Sequence, residues 1–323
     1  MRTLEDYRQM FEEGLATVDL NRQPANLYAP VQYIMGLGGK RLRPSLVLAA
    51  CELCQGDTRD ALMPALGMEF FHNFTLLHDD IMDQAPIRRG MPTVHVKWDI
   101  NRAILSGDTM FALAGKLMLM TRPEALPAVP SLFFQTAMEV CEGQQMDMDF
   151  ETRLDVSTSE YLDMIGLKTA VLIAACLKTG ALVAGAHVSL ADALYDFGYQ
   201  CGIAFQLQDD YLDAFGEADF GKTQGGDITA NKKTWLYLQA LERADEELRH
   251  DLLRWYDPGL KHDADKITAV KEIFMSLGIP DQIRKLMLDY QNKALISLEK
   301  VEHQYGPAPV LRAFAAQVSD RKV

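Results

Sequence analysis

Residues 62–83, LMPALGMEFFHNFTLLHDDIMD, carry the pattern that decides the fold. Apolar side chains recur in this stretch at intervals of three and four residues: Leu62, Leu66, Met68, Phe70, Phe71, Phe74, Leu77 and Ile81. This spacing is typical of an α-helix and not of a β-strand, whose apolar residues alternate. We therefore predict one long helix that ends in a cluster of aspartates.

The rest of the chain has the same helical spacing. Six further segments are rich in Ala, Leu, Met, Gln and Glu, which favour helices: 103–120, 131–150, 160–185, 191–215, 231–256 and 281–304. Short stretches with Gly, Pro or Asp separate them, and the sequence shows no alternating strand pattern with hairpin turns. No linker or shift in composition divides the chain. The prediction is an all-α, single-domain helical bundle over residues 1–323.

The composition favours a soluble, acidic protein. The chain has 323 residues, 48% of them hydrophobic, and its 32 Lys and Arg against 45 Asp and Glu give a net charge of −13. Such a charge argues against nucleic acid as a partner. The longest apolar run, Thr169–Leu177, is too short for a membrane span, and the first residues lack the apolar core of a signal peptide. We expect a cytoplasmic protein with no membrane span, whose five cysteines, including the CxxC of Cys51 and Cys54, stay reduced.

Two aspartate clusters share one spacing, with acids at positions i, i+1 and i+4. The first aspartate set is Asp79, Asp80 and Asp83, and the second aspartate set is Asp209, Asp210 and Asp213. Residues i and i+4 share one face of a helix. A solvated acidic face would explain either set alone, but both follow apolar or amide residues, which favours helices that run into an interior. Carboxylate oxygens select hard cations, and Mg²⁺ commonly bridges a few carboxylates to phosphate oxygens.

Basic residues next to glycines lie near both sets in the sequence. They are Lys40, Arg41 and Arg43 in GGKRLRP (38–44), Arg88 and Arg89 in RRG (88–90), and Lys222, Lys232 and Lys233. Each of them alone could be surface charge. Arg binds phosphate oxygens in pairs and Lys acts as a point charge. Together with the aspartates, these cations indicate sites for two diphosphates, one held through metal and one held directly.

DDIMD (79–83), RRG (88–90), GGKRLRP (38–44) and QDDYLD (208–213) together resemble the motifs of the trans-isoprenyl diphosphate synthases, the polyprenyl synthetase family. The resemblance extends from about Leu27 to the C-terminus. It implies the all-α isoprenoid synthase fold around a central deep cavity, a homodimer and about three Mg²⁺ ions per active site. It also implies condensation of isopentenyl diphosphate with an allylic diphosphate (dimethylallyl, geranyl or farnesyl) by ionisation, condensation and elimination.

The same resemblance implies a role for individual residues. The magnesium ligands and their neighbours would be Asp79, Asp80, Asp83, Asp147, Asp209, Asp213 and Asp227. The cations on the allylic diphosphate would be Arg88, Lys168, Lys222 and Lys232. The isopentenyl diphosphate would be held by Gly39, Lys40, Arg43, His72 and Arg89. The residues beside the reacting carbons would be Thr169 and Gln206.

Product length should depend on the residues that precede the first aspartate set. Phe74 lies five residues before Asp79, roughly 7.5 Å along a helix axis, and Phe71 lies about one turn further. Thr75, four residues before Asp79, is small. In the family, a single aromatic residue five positions before the first aspartate favours geranylgeranyl diphosphate as the product. Bulky residues both four and five positions before it favour farnesyl diphosphate. We expect a short all-trans product, geranylgeranyl ahead of farnesyl diphosphate, although core packing would also explain both phenylalanines.

Three alternatives stay open on the sequence alone. A class I terpene cyclase also ionises allylic diphosphates from an aspartate-rich helix, but it has no use for a second diphosphate site, and its second metal motif normally carries Asn and Ser. A non-catalytic subunit of the same fold usually lacks an aspartate motif or a phosphate-binding cation. A helical scaffold would gain no stability from magnesium and diphosphate. The complete set of motifs favours the prenyltransferase.

Overall fold

The computed structural model describes residues 2–216, 225–257 and 263–320. Within these ranges the regular structure is helical apart from one short hairpin. The helices are α1 (Leu4–Leu15), α2 (Ala25–Gly36), α3 (Leu42–Leu53), α4 (Thr58–Met82), α5 (Val94–Lys97), α6 (Ile100–Met118), α7 (Val129–Thr152), α8 (Thr158–Ile165), α9 (Val171–Ala184), α10 (Val188–Phe215), α11 (Gly226–Thr229), α12 (Trp235–Arg243), α13 (Glu246–Trp255), α14 (Asp263–Ser276), α15 (Ile279–Tyr305) and α16 (Pro309–Asp320). The hairpin pairs β1 (Ile87–Arg88) with β2 (Met91–Pro92), and a π-helical turn, Gly166–Ala170, joins α8 to α9.

Helix α4 is the long helix predicted from residues 62–83, and aspartates flank it at both ends. The Asp57 carboxylate accepts a hydrogen bond from the Arg59 amide, one of the first amides that have no partner within the helix. Asp83 follows the last helical residue, and Gln84 then leaves the helix with a φ of +51°. The first aspartate set therefore stands at the C-terminal end of α4, as the sequence predicts.

Two predicted helices are interrupted. The segment 231–256 contains both α12 and α13, because Ala244 is extended (ψ 137°) and the Asp245 carboxylate caps α13 through the Leu248 amide. The segment 160–185 contains the π-helical turn. The β1–β2 hairpin has no counterpart in the sequence pattern, because two-residue strands are too short to show an alternation.

The hairpin turn fixes the RRG motif in space. Arg88 ends β1, and the turn residues Arg89 and Gly90 have φ of +53° and +74°. Positive φ at both central residues is what a two-residue type I′ hairpin turn requires. The backbone thus places the two neighbouring arginines in different conformations, one in a strand and one at the turn.

The chain divides into two compact units. The first unit consists of residues 1–136, 175–195 and 300–311, and the second of residues 137–174, 196–299 and 312–323, as far as these are described. In the first unit α4 packs against α3 and α6, while α1 packs on α3 and α2 on α6. The core of the second unit includes Tyr161, Ile165, Leu207, Trp235 and Phe274. Each unit thus has its own buried apolar core.

One helical stretch in the described residues, Thr158–Ala184, is long and apolar enough to cross a membrane by length and composition. It comprises α8, the π-helical turn and α9. Most of its apolar window is buried inside the protein, as in the core helix of a soluble protein. The stretch is therefore only weak evidence for a membrane span.

Candidate active site

The three acids of the first aspartate set have different surroundings. Asp80 is buried, and its Oδ1 lies 2.8 Å from Arg88 Nε and 2.7 Å from Arg88 Nη2. Burial raises the pKa of Asp80, and the hydrogen bond and charge of Arg88 oppose that rise. Asp79 is half-buried on α4, and Asp83, one turn further and directly after the helix, is exposed. The guanidinium of Arg88, supplied by β1, thus contacts the middle acid most closely and also lies 3.8 Å from Asp79 Oδ2.

The GGKRLRP loop turns its first arginine into the protein. Arg41 has side-chain exposure of 2% and lies 2.9 Å from Glu69 Oε1, which is 3% exposed, and also 2.9 Å from Glu12 Oε1. Its backbone adopts a φ of +47°. A buried cation of this kind is satisfied by its carboxylates and has a structural role. Sequence reasoning treated Arg41 as one of three equivalent cations; its neighbours in sequence, Lys40 and Arg43, are the ones that keep exposure.

The residues expected to hold isopentenyl diphosphate meet in the first unit. Arg89 donates from Nη1 to the Gly38 carbonyl, and a Cβ on Gly39 would lie 3.0 Å from the Arg89 guanidinium carbon. Arg43 Nη1 lies 3.1 Å from His72 Nε2. Because an arginine can only donate, His72 Nε2 accepts, and its proton sits on Nδ1.

The charge state of His72 follows from its surroundings. Burial lowers the pKa of His72 well below its ordinary value, and the neighbouring positive charges, Arg43 first and then Arg89, lower it further. A neutral His72 is therefore consistent with its role as an acceptor. The result is a cluster of arginines around a neutral imidazole, which is an arrangement suited to an anion such as diphosphate.

In the second unit, two residues expected in separate roles, Lys168 on the allylic diphosphate and Asp147 near metal, are in contact. Lys168 Nζ lies 2.6 Å from Asp147 Oδ2. Lys168 belongs to the π-helical turn, a distortion that is frequent at functional sites. A Cβ on Gly143 would lie 2.3 Å from the Lys168 amide nitrogen, so only glycine allows α7 to approach this turn so closely. The backbone of the turn is thereby held against α7.

Thr169 and Gln206 also meet, and they belong to a longer hydrogen-bond chain. Thr169 Oγ1 donates to Gln206 Oε1 at 3.3 Å, Gln206 Nε2 donates to Asp210 Oδ1 at 3.1 Å, and the Tyr161 hydroxyl donates to Asp210 Oδ2 at 2.5 Å. Burial raises the pKa of Asp210 well above its ordinary value, as does the charge of Asp227, while both hydrogen bonds lower it. Sequence reasoning missed Tyr161. Its place in the helical pattern is that of a buried apolar residue, and nothing in the sequence indicates that its hydroxyl group has a partner.

The remaining acids of the second unit are arranged around the C-terminal end of α10. Asp213 Oδ2 accepts a hydrogen bond from the Asp227 amide at 2.9 Å, and the Asp213 carbonyl accepts from the Gly225 amide at 2.7 Å. The Lys232 amide in turn donates to the Asp227 carbonyl at 2.9 Å, and Lys232 itself is exposed. Asp209, like Asp213, is half-buried.

Two further basic residues, Lys222 and Lys233, follow the second aspartate set in the sequence. Lys222 lies outside the described residues. Lys233 donates to the carbonyls of Phe150 and Glu151 and so ties the end of α7 to this region.

The donors present suit magnesium without forming a cage for it. Among the described residues, no group of three or more His, Cys, Asp or Glu is already arranged to hold a metal ion. The acids in question offer only oxygen, and the neighbouring charges of Asp227 and Asp209 raise the pKa of Asp210, so a cation would relieve repulsion there. Mg²⁺ keeps several waters and is usually held by one or two carboxylates together with substrate phosphates. The donor set therefore fits this ion.

The aromatic residues before the first aspartate set form a cluster with two other helices. Phe71 is fully buried, with ring centroids 5.7 Å from Phe74, 6.1 Å from Phe111 and 5.4 Å from Phe133. Phe74 is half-buried and lies 5.4 Å from Phe111. Thr75 Oγ1 donates to the carbonyl of its own helix at His72. Phe71 thus serves the core, and Phe74 is the more accessible of the two aromatic rings.

All five cysteines are free thiols, and four of them are buried. Burial raises the pKa of Cys51 and of Cys54 to about 12, so neither is a reactive thiolate. Buried thiols with a raised pKa are consistent with the expectation that these cysteines stay reduced.

Long helices that end in aspartate motifs, with arginine and lysine side chains beside them, define a class: all-α enzymes that act on isoprenoid diphosphates. The family model described as Polyprenyl synthetase matches residues 24–275. The chain belongs to the polyprenyl synthetase family.

Individual relatives are similar over most of their length. The chain is 38% identical over 304 residues to a short chain isoprenyl diphosphate synthase of Methanothermobacter thermautotrophicus, covering 94% of this chain and 93% of that protein. It is 44% identical over 271 residues to a geranylgeranyl diphosphate synthase of Methanosarcina mazei, covering 83% and 82%. A solved structure of a geranylgeranyl pyrophosphate synthase matches with a TM-score of 0.93 at 43% identity, over 100% of both chains. The fold is the all-α isoprenoid synthase fold, as predicted.

Proposed function

We propose that this protein is a magnesium-dependent geranylgeranyl diphosphate synthase, a trans-prenyltransferase that condenses isopentenyl diphosphate with allylic diphosphates. One observation carries the proposal. The first unit has two sets of side chains that suit diphosphate: Asp79 beside Arg88, with Asp83 one turn further, which would hold it through metal, and the cation set of Arg43 and Arg89 around neutral His72, which would hold it directly. A terpene cyclase needs only the first kind of set.

The metal-binding residues are assigned by their oxygen donors. We assign Mg²⁺ binding to Asp79 and Asp83 of the first aspartate set and to Asp209, Asp213 and Asp227, with Asp80 and Asp147 beside them. Bound Mg²⁺ supplies positive charge and Lewis acidity to the leaving diphosphate. About three ions per active site follow from the family resemblance.

The basic residues neutralise the diphosphate that leaves. Arg88, Lys168 and Lys232, and Lys222 outside the described residues, contact the allylic diphosphate and stabilise the charge that grows on it. The isopentenyl diphosphate is bound by Gly39, Lys40, Arg43, His72 and Arg89. Because Arg88, Lys168, Arg43 and Arg89 are held by ion pairs or hydrogen bonds before substrate binds, these four need little reorganisation during the reaction.

The allylic carbocation needs dipoles and a dry site rather than a nucleophile, since water would quench it. Thr169 Oγ1, the Gln206 carbonyl oxygen and the Lys168 carbonyl present negative ends of dipoles to it. The double bond of isopentenyl diphosphate then attacks the cation, and a proton is lost to give the new double bond. The released diphosphate accepts that proton.

The product is assigned from the aromatic cluster and from the relatives. Phe74, half-buried and one helical position away from the small Thr75, is the first ring that a growing chain meets. Phe71 is the next ring, and it is locked in the core. We assign geranylgeranyl diphosphate as the product, with farnesyl diphosphate as the alternative.

We also propose that the whole chain, residues 1–323, acts as one polyprenyl synthetase domain, soluble in the cytoplasm and assembled as a homodimer. Exposed apolar side chains on α6 (Ile100, Ile104 and Leu105) support the homodimer, because a second copy would cover them. Light scattering after size exclusion tests this: a mass of one chain would contradict it.

The test of the function is transfer of labelled isopentenyl diphosphate to an acid-labile allylic product. Purified protein is incubated with magnesium and, separately, with dimethylallyl, geranyl and farnesyl diphosphate. We expect incorporation with each starter, and loss of incorporation when EDTA is added. Release of cyclic hydrocarbons from the allylic diphosphate alone would indicate a terpene cyclase, and no conversion at all would indicate a non-catalytic subunit.

A further inference from the structure

The hydrogen-bond chain in the second unit joins three segments of the fold. Tyr161 comes from α8, Thr169 from the π-helical turn, and Gln206 and Asp210 from one face of α10. Asp210 is 2% exposed and Tyr161 is 4% exposed. Both carboxylate oxygens of Asp210 are therefore engaged inside the protein, one by Tyr161 and one by Gln206.

We propose that Tyr161 and Asp210 are positioning residues that fix the orientation of the Gln206 amide, with its carbonyl oxygen towards Thr169. The inference rests on the proposed function, because it explains how the Gln206 oxygen comes to face the reacting carbons. Neither Tyr161 nor Asp210 has to touch the substrate for this role.

The orientation follows from donor and acceptor chemistry. A glutamine amide has nearly the same shape in both orientations, so the neighbours decide which end points where. With the Tyr161 hydroxyl on Oδ2, Asp210 Oδ1 remains an acceptor and takes a hydrogen bond from the Gln206 amino group. The reversed amide would set its oxygen against Asp210 Oδ1 at a part-buried position and leave that acceptor without its donor. The amide is thereby locked with Oε1 towards the Thr169 hydroxyl, 3.3 Å away.

The orientation matters because the two ends of an amide have opposite charge. The carbonyl oxygen is the negative end and stabilises a nearby carbocation, whereas the amino group would repel it. Preorganised dipoles act without reorganisation cost only when a second layer of residues holds them. Tyr161 and Asp210 form that layer for Gln206.

The middle acids of both aspartate sets then have the same kind of role. Asp80 is paired with Arg88, and Asp210 is paired with Tyr161 and Gln206. In each motif the middle carboxylate is the buried one and is held by side chains of the protein, while the acids at either side of it are half-buried or exposed. The i+1 aspartate of each motif thus serves the arrangement of its neighbours.

The kinetic test uses Tyr161→Phe, which removes the hydroxyl and keeps the ring. We expect kcat for farnesyl plus isopentenyl diphosphate to fall about tenfold, the size of one lost hydrogen bond, with both KM values within about twofold of wild type. Tyr237→Phe is the matched control, a buried tyrosine of the same unit, and it should keep the wild-type kcat. Equal kcat for Tyr161→Phe and wild type would overturn the proposal.

A double variant separates positioning from general stability. Gln206→Met keeps the length of the side chain and removes the amide. In that background Tyr161→Phe should lower kcat no further, because Tyr161 acts only through Gln206. If the two losses multiply instead, Tyr161 acts by another route and the proposal is wrong.

A spectrum makes the proposal independent of turnover. Protein labelled with ¹⁵N in the glutamine side chains gives one pair of amide signals for Gln206, assigned by their loss in Gln206→Met. We expect these signals to shift in Tyr161→Phe and in Asp210→Asn but not in Tyr237→Phe. Unshifted signals in both variants would overturn the positioning role. An inactive wild type would refute the proposed function alone, since the spectrum would still report the amide.

Discussion

The Lys168 ammonium lies 2.6 Å from the Asp147 carboxylate, so a cation expected on the diphosphate and an acid expected near metal are partners in one ion pair. Their side chains are 26% and 30% exposed, and such a pair contributes little to stability. We infer that the pair serves to orient a side chain: the Asp147 carboxylate on α7 fixes the position of the Lys168 ammonium, which belongs to the π-helical turn.

Asp147→Asn should therefore impair catalysis more than folding. We expect kcat/KM for farnesyl diphosphate to fall about tenfold, because the ammonium loses a charge-assisted hydrogen bond that orients it. The free energy of unfolding in urea should change by less than about 1 kcal/mol. The matched control is Asp192→Asn, which breaks a similar pair with Lys178 at 2.5 Å. Equal kinetic losses in the two variants would contradict an orienting role for Asp147.

Alanine at Asp79 or Asp209 should abolish turnover and leave the fold intact. Each change removes a carboxylate that we assign to Mg²⁺, whose charge stabilisation is worth several kcal/mol, or more than about 100-fold in rate. Relief of repulsion within the cluster compensates the lost side chain, so circular dichroism and thermal midpoint should stay near wild type. Asp60→Ala, at the other end of α4, serves as the control. Normal turnover in either variant would refute the metal assignment.

Glu69→Gln should destabilise the first unit strongly. The change leaves Arg41 buried with weaker compensation, and breaking a buried ion pair costs roughly 3–5 kcal/mol. We expect the lower end of that range, because Glu12 still reaches the same guanidinium. Arg59→Gln, which breaks an exposed pair with Asp57, should leave the free energy of unfolding close to that of wild type. Urea unfolding would compare the two variants. Equal losses in the free energy of unfolding would contradict the structural role of Arg41.

Phe74→Ala should lengthen the product, because it removes the more accessible ring of the aromatic cluster. Phe71→Ala should instead lower the free energy of unfolding by about 3–5 kcal/mol, as expected for a fully buried phenylalanine. Product sizing by reverse-phase chromatography and urea unfolding would separate the two effects. An unchanged product from Phe74→Ala would shift the length determinant to Phe71 or Phe111.

His72 should make stability depend on pH below neutrality. The pKa of His72 is lowered in the folded protein. As the pH falls below about 6.5, the imidazole is therefore protonated in the unfolded chain while it stays neutral in the native protein. Stability is therefore lost on acidification, by at most about 1.4 kcal/mol per pH unit for one proton.

The corresponding experiment compares urea unfolding at pH 7.5 and pH 5.5. His72→Gln should lose less stability between these two pH values than wild type. His250→Gln, a change at an exposed histidine on α13, should behave like wild type. Identical losses in all three proteins would show that His72 is not held neutral.

The sequence predicts the helices and the chemical character of the site, but not how each charge is used. Periodicity locates α4 and the aspartates at its end because burial of apolar residues determines both. Periodicity could not show that the Arg41 side chain is buried against Glu69. A basic residue beside glycines has the same sequence pattern whether its side chain faces solvent or a buried acid. Nor could periodicity show the bond between Tyr161 and Asp210, which joins residues 49 positions apart in the chain.

The central claim is that this chain adds isopentenyl diphosphate to an allylic diphosphate and stops at twenty carbons. The most direct test incubates the protein with magnesium, farnesyl diphosphate and excess labelled isopentenyl diphosphate, then sizes the dephosphorylated products by reverse-phase chromatography. We predict a single twenty-carbon alcohol, absent with Asp79→Ala. No incorporation by the wild-type protein would contradict the synthase, and a series of longer alcohols would contradict the geranylgeranyl assignment.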